Sequence, residues 1–299
     1  MSRIRYDRLP TERPSSWSRD LDRLSAEGIA RLMNRADAGA LRAVARAAPA
    51  IARAVDLIVT ALAGGGRLLF AGAGTSGRLG VLEAAECPPT FGTPPSLVQA
   101  VMAGGRRAVF RSAEGAEDDG AEGRRQIRRR VRAGDVLVGI AASGVTPFVR
   151  AALGEARRRR ARTILVTCNP GAPRAGAAVV IPLAVGPEVL AGSTRLKAGT
   201  ATKLTLNTLT TAAFVGLGKV HGNRMVDLQP RSAKLRARAR RLVRELGGVG
   251  DRRATALLAA AGGSAKLAIA AARLKVPPSA ARRRLRAAGG SLRRALGAP

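Results

Sequence analysis

The sequence predicts an α/β protein, with a doubly wound parallel sheet, an N-terminal helical arm and a small C-terminal helical domain. Three observations carry this. Short apolar runs at 67–71, 97–102, 135–141, 162–168 and 179–183 have the length and composition of strands. Segments with helical spacing alternate with them, as parallel strands joined by crossover helices require. After His221 the alternation stops, and helical pieces separated by glycine or proline pairs follow.

Taken in order, residues 1–36 are polar and proline-bearing, and read as an arm that packs on something else. Residues 38–63 read as a helix, with Leu41, Val44, Ile51, Val55 and Ile58 recurring every three or four positions. The first strand, 67–71, runs into a glycine-rich turn and a helix that continues through Glu86. Strands at 135–141 and 162–168 each follow a charged helical segment, and 198–217 reads as an apolar, buried helix. Within 232–245, Leu235 and Leu242 fall on one stripe that continues to Leu246. Three shorter helices then lie between Gly247-Gly248, Gly262-Gly263, Pro277-Pro278 and Gly289-Gly290. The expected domains are an arm and helix at 1–50, a sheet domain at 51–228 and a helical domain at 229–299.

Composition narrows the function. With 299 residues, 46% of them hydrophobic, the chain builds a sizeable core, but only 2% are aromatic, so Ala, Leu, Val and Ile must fill it. The net charge of +32 comes mostly from arginine, in runs such as 128–130 and 157–160. Such charge suits polyanions, yet the arginines are spread along the chain rather than gathered in one patch. They read as solvated helix faces, and no specific nucleic acid is expected. Cys87 and Cys168 are far apart and fit a reducing cytoplasm. The start lacks an apolar signal segment, and the longest uncharged stretch, 204–218, is too short to span a bilayer, so no membrane is expected.

The first strand enters Gly72-Ala73-Gly74-Thr75-Ser76-Gly77-Arg78, formally the dinucleotide fingerprint. That reading also needs an acid at the end of the next strand for the ribose, and 101–107 contains none. The same loop chemistry serves a phosphate: glycines admit the anion, the helix N-terminus favours negative charge, and Thr75 and Ser76 add hydroxyls. A second such loop, 142–147, follows the third strand. The candidate substrate- and phosphate-binding residues are Thr75, Ser76, Gly77 and Arg78 in the first loop and Ser143, Gly144 and Thr146 in the second. With His221 the only histidine and the cysteines separated, no metal and no cofactor is expected.

Acid–base work then falls to carboxylates or lysines. Only 20 acidic residues occur, so their clustering is informative. Glu83 and Glu86 stand three apart on the helix after the first loop, on one face of it. Glu86 precedes Cys87-Pro88-Pro89, which is expected to end that helix. Glu114, Glu117, Asp118, Asp119 and Glu122 cluster after the second strand, where Asp119 and Glu122 fit as counter-charges for arginine.

Ordered motifs along nearly the whole chain resemble the N-acetylmuramic acid 6-phosphate etherases. They are 72–92 (GAGTSGRLGVLEAAECPPTFG), 114–118 (EGAED), 139–147 (GIAASGVTP), 167–171 (TCNPG), 186–200 (GPEVLAGSTRLKAGT) and 218–227 (GKVHGNRMVD). The resemblance implies the sugar-isomerase (SIS) fold, a phosphorylated amino-sugar substrate and a carbon–oxygen lyase that removes D-lactate. It implies that Glu86 is the acid and Glu117 the base, and that a homodimer shares its sites between subunits. Val145 and Phe148 replace residues that in the family are more usually Arg and Tyr. A phosphosugar-sensing regulator and a phosphosugar isomerase share the fold; a sensor needs only the loops, whereas the lyase needs both Glu86 and Glu117.

Overall fold

The computed structural model describes residues 9–230 and 232–297; residues 1–8 of the expected arm lie outside the described residues. Two short 3₁₀ turns, Ser16–Ser18 and Leu21–Arg23, lead into α1 (Ala26–Arg46) and α2 (Ala48–Ala63). Then follow β1 (Leu68–Gly72), α3 (Gly74–Phe91), β2 (Val98–Met102), α4 (Arg107–Phe110), α5 (Gly120–Arg130), β3 (Val136–Ile140) and α6 (Pro147–Arg158). Next come β4 (Arg162–Thr167), β5 (Val179–Pro182), α7 (Lys197–Gly216) and the hairpin β6 (Val220–His221) with β7 (Arg224–Met225). The chain closes with α8 (Ala233–Gly247), α9 (Asp251–Ala260), α10 (Ala265–Leu274), α11 (Pro278–Ala287) and α12 (Leu292–Ala295).

By contacts the chain divides into two units: residues up to Ala84 with Ser96–Thr210, and Ala85–Pro95 with the residues from Thr211 onward. In the first, five parallel strands are ordered β2-β1-β3-β4-β5. All five expected strands are present, displaced by a residue or so. β1 and β3 are buried along their whole length, which explains why they read as continuous apolar runs rather than alternating ones. Phe70, Phe148, Leu137, Leu153 and Leu165 are fully buried, each contributing about 1.5–3 kcal/mol. Asp135, fully buried, registers the strand starts: Oδ1 accepts from Arg67 N at 2.9 Å, and Oδ2 pairs with the Arg67 guanidinium at 2.7 Å.

Two helices differ from the sequence expectation. The helix expected at 38–63 begins instead at Ala26, after Ser25 caps it by accepting from Gly28 N at 3.1 Å. It breaks at Ala47, because Pro49 lacks an N–H and fits only the first turn of α2. Much of the α1 surface faces solvent, Leu41 at 59% exposure included, which is why its first half reads as a polar arm. The other is α3, which continues through Pro88 and Pro89 to Phe91 rather than ending before them. Its last turn persists because Gly92 N donates to Pro88 O at 3.0 Å and Phe91 stacks on Phe214, ring centroids 4.5 Å apart.

In the second unit, α8 to α12 pack around Leu242, Val243, Leu267, Ile269 and Leu292. Lys266 is buried there, its Nζ donating to Asp227 Oδ2 at 2.6 Å and to the carbonyls of Gly218 and Gly290 at 2.9 Å each. Burial of an ammonium is tolerated only with such full satisfaction. His221 stands beside Arg273 and Arg293; burial first, then these cations, lower its pKa, so it is neutral at pH 7. Among the described residues, no single helix is long and apolar enough to cross a membrane.

Candidate active site

In an open parallel sheet, ligands bind outside the carboxyl ends of the strands where the strand order reverses. Here that point lies between β1 and β3, the strands that feed the two hydroxyl-bearing loops. A cavity of about 250 Å³ opens there, and Thr75, Ser76, Ser143, Thr146 and Glu117 line it together. Five candidates from three separate sequence segments thus meet in one place.

The first loop is set by close backbone approach. A Cβ on Gly77 would come within 2.6 Å of Gly72 O and 2.7 Å of Met102 Sδ, so the turn into α3 admits only glycine there. Gly77 N–H is already committed to Ala73 O at 3.1 Å, and Gly77 does not line the cavity. Thr75 and Ser76 sit in the first turn of α3, where N–H groups lack partners within the helix and favour an anion. Arg78 lines an adjoining cavity of about 190 Å³ instead.

The second loop is held by the last residue of β4 and the segment after it. Thr167 Oγ1 donates to Ala142 O at 3.2 Å, Cys168 N donates to the same oxygen at 2.9 Å, and Asn169 Nδ2 donates to Ser143 O at 3.1 Å. Ser143 Oγ lies 3.4 Å from Thr146 Oγ1 and accepts from Val145 N at 3.2 Å. Gly144 has φ +73°, and its N–H donates to Ala141 O at 2.9 Å. Like Gly77, it shapes a loop without lining the cavity.

Glu117 reaches the cavity through its main chain: Phe148 N, in the first turn of α6, donates to Glu117 O at 2.9 Å. The fully buried Phe148 ring anchors that donor, so the tether does not need the side chain more usual in the family. Asp119, by contrast, caps α5 by accepting from Glu122 N at 2.7 Å, and Glu122 pairs with Arg125. Glu122 therefore acts as the counter-charge the sequence suggested, whereas Asp119 serves as the helix cap. The Glu117 carboxyl is held above its ordinary value of 4.5, first by partial burial, then by Asp118 and Glu114 beside it. A carboxylate acting as base must be ionised, and it protonates as pH falls through its pKa. The acid limb of kcat/KM is therefore expected above pH 4.5, and should move lower in Glu114→Gln, measured by initial rates across pH. An unmoved limb in that variant would remove Glu114 from the electrostatics.

Glu83 and Glu86 part company despite their spacing. Glu83 is buried, Oε2 3.0 Å from Lys203 Nζ and Oε1 accepting from Thr210 Oγ1 at 2.5 Å, a structural tie between α3 and α7. Glu86 is exposed and belongs to the second unit; it does not line the 250 Å³ cavity. Residues not anticipated from sequence also line that cavity: Thr11, Glu12 and Thr194. Gly192 N donates to Thr11 O at 3.0 Å, bringing the arm to the loop of the 186–200 motif. Within that motif, buried Glu188 caps α7, accepting from Lys197 N at 3.1 Å and Ala198 N at 2.9 Å. Cys168 is buried, and its thiol is pushed up to about 12, first by burial and then by Glu188, which makes it inert at pH 7. Among the described residues, no group of three or more His, Cys, Asp or Glu could hold a metal ion.

Comparison with known proteins agrees with this architecture. Residues 50–157 match the glucokinase regulatory protein N-terminal SIS domain, and 117–212 match the SIS domain. Among solved structures, the Vibrio vulnificus NanR protein complexed with ManNAc-6P is 18% identical, with a TM-score of 0.47, covering 66% of this chain and 65% of that one. The N-acetylmuramic acid 6-phosphate etherase of Symbiobacterium thermophilum is 52% identical over 269 residues, 90% of each chain. That of Rubrobacter xylanophilus is 51% identical over 296 residues, 98% of this chain and 97% of the relative. Identity of this level over nearly the full length, on a SIS sheet, shows that the chain belongs to the N-acetylmuramic acid 6-phosphate etherase family.

Proposed function

We propose that this protein is a carbon–oxygen lyase that cleaves the D-lactyl ether of N-acetylmuramic acid 6-phosphate. Its products are N-acetylglucosamine 6-phosphate and D-lactate, a step in the breakdown of cell-wall amino sugars. The observation that carries the reading is the meeting of both hydroxyl-bearing loops with a carboxyl of raised pKa in one cavity at the sheet's switch point. Thr75, Ser76, Ser143 and Thr146 hold the phosphate, while Gly77 and Gly144 give their loops the required shape. The ring opens to the aldehyde, which acidifies C2–H. Glu117 takes that proton, the ether C3–O bond breaks with the electron pair leaving on the lactyl oxygen, and Glu86 protonates that oxygen. Water then adds across C2–C3, its oxygen at C3 and a proton returning to C2, so one water is consumed per lactate released.

Glu86 enters on its motif, 72–92, rather than on the cavity. We infer a homodimer in the cytoplasm, with sites shared between subunits; two buried cysteines not joined in a disulfide fit a reducing compartment. The chemistry uses carboxylates alone, so D-lactate release is expected to persist undiminished in excess EDTA and without added nucleotide. Loss of activity on chelation, restored by a divalent ion, would contradict this mechanism.

A further inference from the structure

The two cavities at the sheet's switch point share Ala73, Gly74 and Glu117 as a common wall. On one side the described lining offers hydroxyls and main-chain donors, with Glu12, Glu117 and Asp118 beside them, but no cationic side chain. On the other, Arg78 is the one cation among the described lining residues, accompanied by Ser112 and Glu114. Arg78 projects from α3 and is half-buried, and its Nε donates to Val109 O at 2.8 Å. That bond fixes the plane of the guanidinium and spends only one of its five donors, leaving the Nη edge for a planar acceptor. Glu114 is already engaged, accepting from Ser112 Oγ at 2.5 Å, and it is exposed.

The substrate in the etherase reading has two anionic ends, a phosphate on C6 and the carboxylate of the lactyl ether on C3. C2, whose proton the base must reach, adjoins C3 at the lactyl end, while C4 and C5 separate that end from the phosphate. We propose that Arg78 binds the lactyl carboxylate, so that the sugar straddles Glu117 with its phosphate among the hydroxyls and its lactyl group in the Arg78 cavity. This rests on the etherase reading and assigns Arg78 to the leaving group instead of the phosphate. Two observations favour the division. Arg78 is the one cationic side chain among the described lining of either cavity, so a carboxylate placed on its side meets a fixed cation, whereas the other side offers none. The phosphate side supplies its donors without Arg78, from the first turn of α3 and four hydroxyl-bearing residues of the two loops. Arg78 is thereby a specificity-determining residue, separating lactyl ethers from sugars that bear only a hydroxyl at C3.

The test is binding in the Glu117→Gln background, where turnover is halted. Calorimetry compares N-acetylmuramic acid 6-phosphate with its lactyl carboxamide, which has the same shape and no charge. The carboxylate form is expected to bind at least about tenfold more tightly, the usual gain from a bidentate charge-assisted pair. Adding Arg78→Met should bring that ratio close to one while changing carboxamide affinity less than about threefold, and Arg78→Lys should restore part of the preference. Three results would overturn the proposal. One is a ratio near one with Arg78 present, and another is a ratio unchanged by Arg78→Met. The third is an equal loss of affinity for both ligands and for N-acetylglucosamine 6-phosphate, which would return Arg78 to the phosphate. Because the ratio is read from binding, it stands apart from the etherase reading, which fails only if the protein with Glu117 intact releases no D-lactate.

Discussion

Glu117→Gln should lose both C2 hydrogen exchange and lactate release, with kcat lowered by about 10²–10⁴, the usual contribution of a positioned general base. Glutamine keeps the size and main chain of Glu117, so the bond from Phe148 N to its carbonyl survives and a folding defect is not expected. A melting temperature within error of the parent protein would check this. Glu86→Gln should behave differently. It retains the base, so deuterium from solvent still enters at C2, but the lactyl oxygen has no acid to protonate it and little D-lactate appears. Proton removal can occur without departure of lactate, whereas elimination cannot occur without proton removal, so the pair of phenotypes orders the two steps. Swapped phenotypes would mean the roles are reversed. Normal lactate release from either variant would remove that residue from the chemistry.

Removing the loop hydroxyls should cost nearly as much. Each hydrogen bond to a charged phosphate is worth about 1.5–3 kcal/mol, so Ser76→Ala or Ser143→Ala should lower kcat/KM roughly tenfold to a hundredfold. The double variant should lose more, and the dephosphorylated sugar should be a very poor substrate for the parent protein. Ser143 carries a second duty, because its Oγ accepts from Val145 N within the loop. Ser143→Ala should therefore raise KM more than Ser76→Ala does. Unchanged kcat/KM in both single variants would show that the phosphate lies elsewhere.

Much of this was legible in the sequence because the relevant signals are local. Five apolar runs flanked by helices gave the strands, and the glycine–hydroxyl loops at 72–78 and 142–147 announced themselves by composition and by their place after strands. The parts that were not legible depend on partners distant along the chain. Glu83 and Glu86 look equivalent at three-residue spacing, and only the arrival of Lys203 and Thr210 from α7 commits Glu83 to a structural tie. Lys266 stands at the buried start of α10, before the apolar run 267–272, and nothing nearby in sequence foretells that Asp227, Gly218 and Gly290 enclose it. The helical start at Ala26 was hidden because α1 leaves much of its surface to solvent and so lacks a strong apolar stripe. The continuation of α3 past Pro88-Pro89 runs against local propensity, since each proline removes an in-helix N–H. Thr11 and Glu12 reach the cavity only because the main chain at Gly192 anchors them, a contact between segments some 180 positions apart.

The most direct measurement is to incubate the purified protein with N-acetylmuramic acid 6-phosphate and quantify D-lactate and N-acetylglucosamine 6-phosphate together. The two should appear in equal amounts, at a rate unaffected by EDTA, with very little released from the unphosphorylated sugar. Tight binding of the substrate without D-lactate release, or aldose–ketose interconversion of a sugar phosphate in its place, would contradict the etherase assignment.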